Sequence, residues 1–121
     1  MKVLIHDERS DALDFLHGSI VNHGYEASVA KNGQDIINML SDDRYSVVLT
    51  NGGYGKLDAE HLTWLKSASV FVIGISDKQH WDENLDLKVD FHLRRPFESS
   101  KLWQTLLRAK KSADKKEIII S

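Results

Sequence analysis

Tyr45-Ser46-Val47-Val48-Leu49-Thr50-Asn51 is a short run of β-branched and apolar residues that stops on a polar side chain. A run of this length and composition predicts a strand covered on both faces, as in a parallel sheet. Four similar runs surround it: Val3 to Ile5, Glu26 to Ala30, Val70 to Ile75 and Val89 to Leu93. Those at Val3 and Val70 are almost continuously apolar, whereas Glu26-Ala27-Ser28-Val29 is mixed, as an edge strand would be.

Helical spacing fills the gaps. Leu13, Leu16, Ile20 and Val21 mark a first helix, with Ser10 as the expected N-cap and Gly24 as its stop. Ile36, Ile37, Met39 and Leu40 mark a second after Asn32-Gly33, and Leu62, Trp64 and Leu65 a third. The polar stretch from Asp77 to Asp86 carries the weakest signal, for a fourth. Past the single proline, Pro96, a fifth helix presents Leu102, Leu106 and Ala109 in one stripe, capped by Ser99 or Ser100. Strand and helix thus alternate, and parallel neighbours in such a series need right-handed crossovers. The expected architecture is α/β: a doubly wound, five-stranded parallel sheet of the flavodoxin-like kind, strand order 2-1-3-4-5. The domain spans residues 1–109, and residues 110–121 read as a basic, loosely structured polar tail ending in Ile118-Ile119-Ile120, either frayed or a small docking strand.

With 121 residues, the chain has room for one domain. Its 18 acidic and 16 basic residues give a formal charge of -2, so no global field draws nucleic acid or an anionic membrane. The basic excess of Lys101, Arg108, Lys110, Lys111, Lys115 and Lys116 over Asp114 and Glu117 is read as a solvated helix end. The absence of cysteine excludes disulfides, thiolate metal sites and cysteine nucleophiles. An early charge at Lys2 and Asp7 argues against a signal peptide, no run is long enough for a membrane span, and the cytoplasm is the expected location.

In open α/β sheets ligands bind beyond the carboxyl ends of the strands. The residues there are Asp7 and Glu8, Asn51, Gly74 to Ser76, and Arg95-Pro96-Phe97. Adjacent acids, a polar acceptor and a cation around one crevice suit a hydrated divalent cation or a phosphoryl group.

Here the chain resembles the receiver domains of bacterial two-component response regulators. Val3-Leu4-Ile5-His6-Asp7-Glu8 is similar to the first strand with its acidic pair, residues 45–51 to the third strand ending at the phosphoacceptor, and Phe91-His92-Leu93-Arg94-Arg95-Pro96-Phe97 to the fifth strand with its Lys-Pro-Phe ending. The resemblance covers residues 2 to about 109 and implies a phosphorylation pocket of Asp7, Glu8, Asn51, Gly53, Ser76 and Arg95. The departures concentrate in that pocket. Asn51 stands where the family has the aspartate that forms the acyl phosphate, and a neutral amide cannot attack phosphorus. Glu8 is a methylene longer than the usual acid. Arg95 replaces a mobile ammonium by a planar fork. The hydroxyl closing the fourth strand is Ser76, or is missing if Gly74 or Ile75 holds that place, and Gly55 stands where a proline is usual.

Arg95 is therefore expected to reach Asp7 or Glu8, leaving these acids at most a weak magnesium site, with no other cofactor. His6 is expected to pack, not to bind metal, since alternation turns it away from Asp7. The six histidines show no ligand spacing. His92 stands at the family's switch aromatic, and Trp103 with Leu107 forms a second apolar strip on the fifth helix. The resemblance and its departures together imply a non-enzymatic, phosphorylation-independent interaction module of two-component signalling. Its expected partners are signalling proteins or a second copy, met through the face of the fourth helix, fifth strand and fifth helix, where His92, Trp103 and Leu107 are placed. Nucleic acid and membrane are not expected partners. Two rivals are a competent receiver, through an unusual acceptor or after conversion of Asn51 to aspartate, and a flavodoxin-like domain holding a small ligand.

Overall fold

The computed structural model describes residues 1–7, 9–51, 59–68, 70–76 and 89–120, with backbone alone at 59, 62, 66 and 112–120. Its strands are β1 (Lys2–His6), β2 (Glu26–Ala30), β3 (Val47–Thr50), β4 (Phe71–Ser76) and β5 (Phe91–Arg94). All neighbours pair in parallel, in the order β2-β1-β3-β4-β5. The helices are α1 (Ser10–Asn22), α2 (Gly33–Asp42), α3 (Ala59–Ser67) and a C-terminal helix (Ser99–Ile120). The fourth helix expected from Asp77 to Asp86 lies outside the described residues.

Side chains on a strand alternate between faces, and the core divides accordingly. Val3, Ile5, Val47 and Leu49 pack with Leu16 and Ile20 of α1 and with Leu102, Leu106 and Ala109 of the C-terminal helix. Leu4, Val48 and Val72 turn the other way, toward Ile36 of α2 and Leu65 of α3. Central β1, β3 and β4 need apolar residues on both faces, which explains their unbroken runs. β2 lies at an edge, and only Ala30 in it is buried.

The helix ends show where local chemistry departs from expectation. Ser10 is the first helical residue of α1, and Arg9 occupies the N-cap, where its side chain makes no capping hydrogen bond. The stabilising acceptor is instead Asp7, whose Oδ1 takes the Arg9 N–H at 2.9 Å. At the other end Gly24 has φ 97°, a left-handed conformation that favours glycine, and donates its N–H to the Val21 carbonyl at 3.0 Å. In α2 the N-cap Asn32 accepts the Asp35 N–H at 2.8 Å, and Asp35 accepts the N–H of Lys31, the residue before the cap, at 3.1 Å. The C-terminal helix begins one residue past Glu98, whose carbonyl accepts the Lys101 and Leu102 N–H groups, so Ser99 and Ser100 lie inside its first turn. This helix also runs to Ile120, which corrects the loose tail expected after residue 109. Lys110, Lys111, Ala113, Lys115, Lys116 and Glu117 are strong helix formers that carry the helix past Ala109, the last residue buried among those whose side chains are described.

Helices α2 and α3 meet at Gly33, where a Cβ would come within 2.7 Å of the His61 ring. Gly33→Ala should therefore cost about 1–3 kcal/mol through overpacking, with most of the loss recovered when His61→Ala is added. Urea midpoints of the single and double variants check this. An unchanged midpoint for Gly33→Ala would show that the ring moves aside freely.

Candidate functional site

Because His6 pairs with Thr50 across β1 and β3, the next residues on each strand, Asp7 and Asn51, emerge side by side at the carboxyl edge. The Asn51 N–H continues the ladder for one more bond, to the His6 carbonyl at 3.2 Å. Both side chains are buried: Asp7 is 3% exposed and Asn51 4%.

Asp7 gathers the donors of this edge. Its Oδ1 accepts the Asn51 Nδ2–H at 2.8 Å as well as the Arg9 N–H, and its Oδ2 accepts Arg95 Nη2–H at 2.8 Å. Arg95 follows β5 and donates its own N–H to the Ser76 carbonyl at 2.8 Å, which fixes its backbone while the guanidinium reaches back to the end of β1. A carboxylate removed from water needs this compensation, and a charge-assisted bond from a guanidinium supplies the strongest part of it. The expected pairing of Arg95 is thus made with Asp7. Glu8 and Gly53 lie outside the described residues.

The arrangement has clear chemical limits. Asn51 presents an amide, uncharged and already donating to Asp7. Asp7 has donors on both oxygens, so a cation binding there would have to displace guanidinium or amide. Among the described residues no three histidine, aspartate or glutamate side chains converge as a metal site.

Ser76 is the last residue of β4 and is 2% exposed, so a hydroxyl does close that strand, a point the sequence left open. Its Oγ lies 2.9 Å from His92 Nε2. A second histidine–hydroxyl pair, His6 Nδ1 and Thr50 Oγ1 at 2.8 Å, is buried at the ends of β1 and β3. His6 is therefore packed, as expected. Thr50 was missed in the sequence because in one dimension it is only the last residue of a strand. Its partner becomes legible once the runs ending at His6 and Thr50 are placed in register.

His92, Trp103 and Leu107 do not form the one surface expected of them. His92 alternates with Phe91 and Leu93, which pack toward α1 and the C-terminal helix, so its side chain belongs to the opposite face. Trp103 is half-buried and stacks on His23, just past the end of α1, with ring centroids 4.0 Å apart and planes 7° apart. Leu107 is 46% exposed. The physical reason is the step of the helix: one position beyond Leu102, the indole turns toward α1.

Beside the Asp7 crevice lies an open groove of about 520 Å³ lined by Arg9, Phe15, Arg95, Pro96 and Phe97 among others. Phe15, 61% exposed, was not singled out in the sequence. Arg9 Nη2 bonds Asp11 at 3.2 Å on its rim and holds that carboxyl below the usual aspartate range.

No family sequence model and no curated protein matches the chain, yet solved structures do. It superposes on NtrX from Brucella abortus in complex with ADP with a TM-score of 0.80 at 18% identity, covering 98% of this chain and 29% of that one. A response regulator receiver domain protein from Clostridium thermocellum gives 0.74 at 20% identity, covering 99% and 98% of the two chains. The signal receiver domain of a putative LuxO repressor protein from Vibrio parahaemolyticus gives 0.80 at 16% identity, covering 99% and 97%. The chain spans less than a third of the NtrX chain. At these identities the likeness is one of fold.

Proposed function

We propose, from the premise that this chain has the fold of a response regulator receiver domain, that it serves two-component-type signalling as a protein-interaction module without an acyl-phosphate step. The observation that carries this reading is the Asn51–Asp7–Arg95 linkage. The position at the end of β3 holds an amide in place of a nucleophilic carboxylate, and the neighbouring acid is engaged by the chain's own guanidinium. On this reading the chain is not an enzyme, requires no cofactor, and its binding state is set by sequence. Its partners are signalling proteins or a second copy of the chain.

The test adds magnesium and beryllofluoride, a phosphoryl mimic, to the protein while amide NMR spectra and sedimentation are followed. The expected result is an unchanged spectrum and an unchanged mass. A magnesium-dependent shift at Asp7 or Asn51, or a change of assembly state, would show that the pocket still responds to a phosphoryl group.

A further inference from the structure

We propose that the outer face of α1 is a self-association surface, on which two copies of the chain pack their α1 helices antiparallel about Gly18. Gly18 lies in the interior of α1, where glycine weakens a helix relative to alanine. Nothing within the chain asks for it there. A Cβ at this position would meet no atom within 4 Å among the described residues, and its backbone has no positive φ to favour glycine. Gly18 nevertheless marks the centre of the outer face, because at about 100° per residue the core residues Leu16 and Ile20 fall on the opposite side of the helix.

Apolar side chains frame the gap. Among the described residues the large hydrophobic side chains that stay exposed are Phe15, Val21, Val29 and Leu107, and the first two stand three residues before and three residues after Gly18. A second helix approaching over the glycine would come close to the backbone and cover both groups.

Charge selects the occupant and its direction. Asp11 and Asp14 fall on this face in the N-terminal half of α1 and Asn22 in the C-terminal half, and Asp11 is already paired with Arg9. In an antiparallel pair about Gly18, Phe15 of one copy comes level with Val21 of the other, and Asp14 with Asn22, whose amide can donate to a carboxylate. The two Asp14 carboxylates are then roughly 12 Å apart along the helices, at a rise of 1.5 Å per residue, whereas a parallel pair would set them side by side. Such a contact is isologous and closes at two copies. With one 13-residue helix from each copy, it is a weak pair. It supplies a surface for one partner class of the proposed function and rests on that reading there, although it uses no group of the Asp7 crevice.

Sedimentation equilibrium of the full chain, at concentrations rising to the millimolar range, tests the proposal. The parent should show a reversible monomer–dimer equilibrium. Gly18→Gln should raise the urea midpoint and yet weaken the dimer about tenfold or more, an opposition that a purely structural role for the glycine would not produce. Phe15→Ala should weaken it as well. A parent that stays monomeric overturns the proposal and leaves standing the reading of the Asn51–Asp7–Arg95 linkage, which magnesium and beryllofluoride test separately. A dimer unmoved by both α1 variants, or lost on Leu107→Ala instead, places the contact elsewhere and overturns it too.

Discussion

Asp7→Ala is expected to lower stability by about 3–5 kcal/mol, the range for removing one member of a buried charge pair. Three donors lose their acceptor at once: Arg95 Nη2, Asn51 Nδ2 and the Arg9 N–H that sets the start of α1. Truncating Arg95 to alanine leaves the opposite charge buried and should also be costly. The double variant should lose clearly less than the sum of the two, because neither charge is then stranded. Urea unfolding of the four proteins measures this coupling. Additive losses would mean that the 2.8 Å contact between Arg95 and Asp7 contributes nothing of its own.

Asn51→Asp is expected to destabilise the chain by about 2 kcal/mol or more at neutral pH, since a buried acceptor loses its donor and gains a like charge in its place. The replacement is nearly isosteric, so packing cannot account for the loss. Its pH dependence has a definite sign: as pH falls, a proton shared between the two carboxyl groups restores a bridging hydrogen, and the gap between variant and parent should narrow. Urea midpoints across the acidic range check this. A gap that stays constant or widens on acidification would mean that the carboxyl group at position 51 does not face Asp7.

Several of these features are legible in one dimension and others are not, for physical reasons. The unbroken apolar runs at residues 3–5, 47–49 and 71–75 carry the sheet because central parallel strands are buried on both faces. Asp7, Asn51 and Arg95 could be named because strand ends are where such sheets gather polar groups. The partner of Ser76, the pairing of His6 with Thr50 and the position of Trp103 depend on how strands align and where α1 ends. These are tertiary facts that no local pattern encodes. The C-terminal helix shows the converse error: a run of lysines suggested a loose tail, although lysine, alanine and glutamate are also good helix formers.

The central claim is that the chemistry of the receiver fold stops at Asn51 in this chain. Fresh protein, checked by peptide mapping to carry Asn51 unchanged, is treated with acetyl phosphate and magnesium and weighed intact by mass spectrometry. The account predicts an unmodified mass. An acid-labile phosphoryl adduct on the chain with Asn51 intact would contradict it.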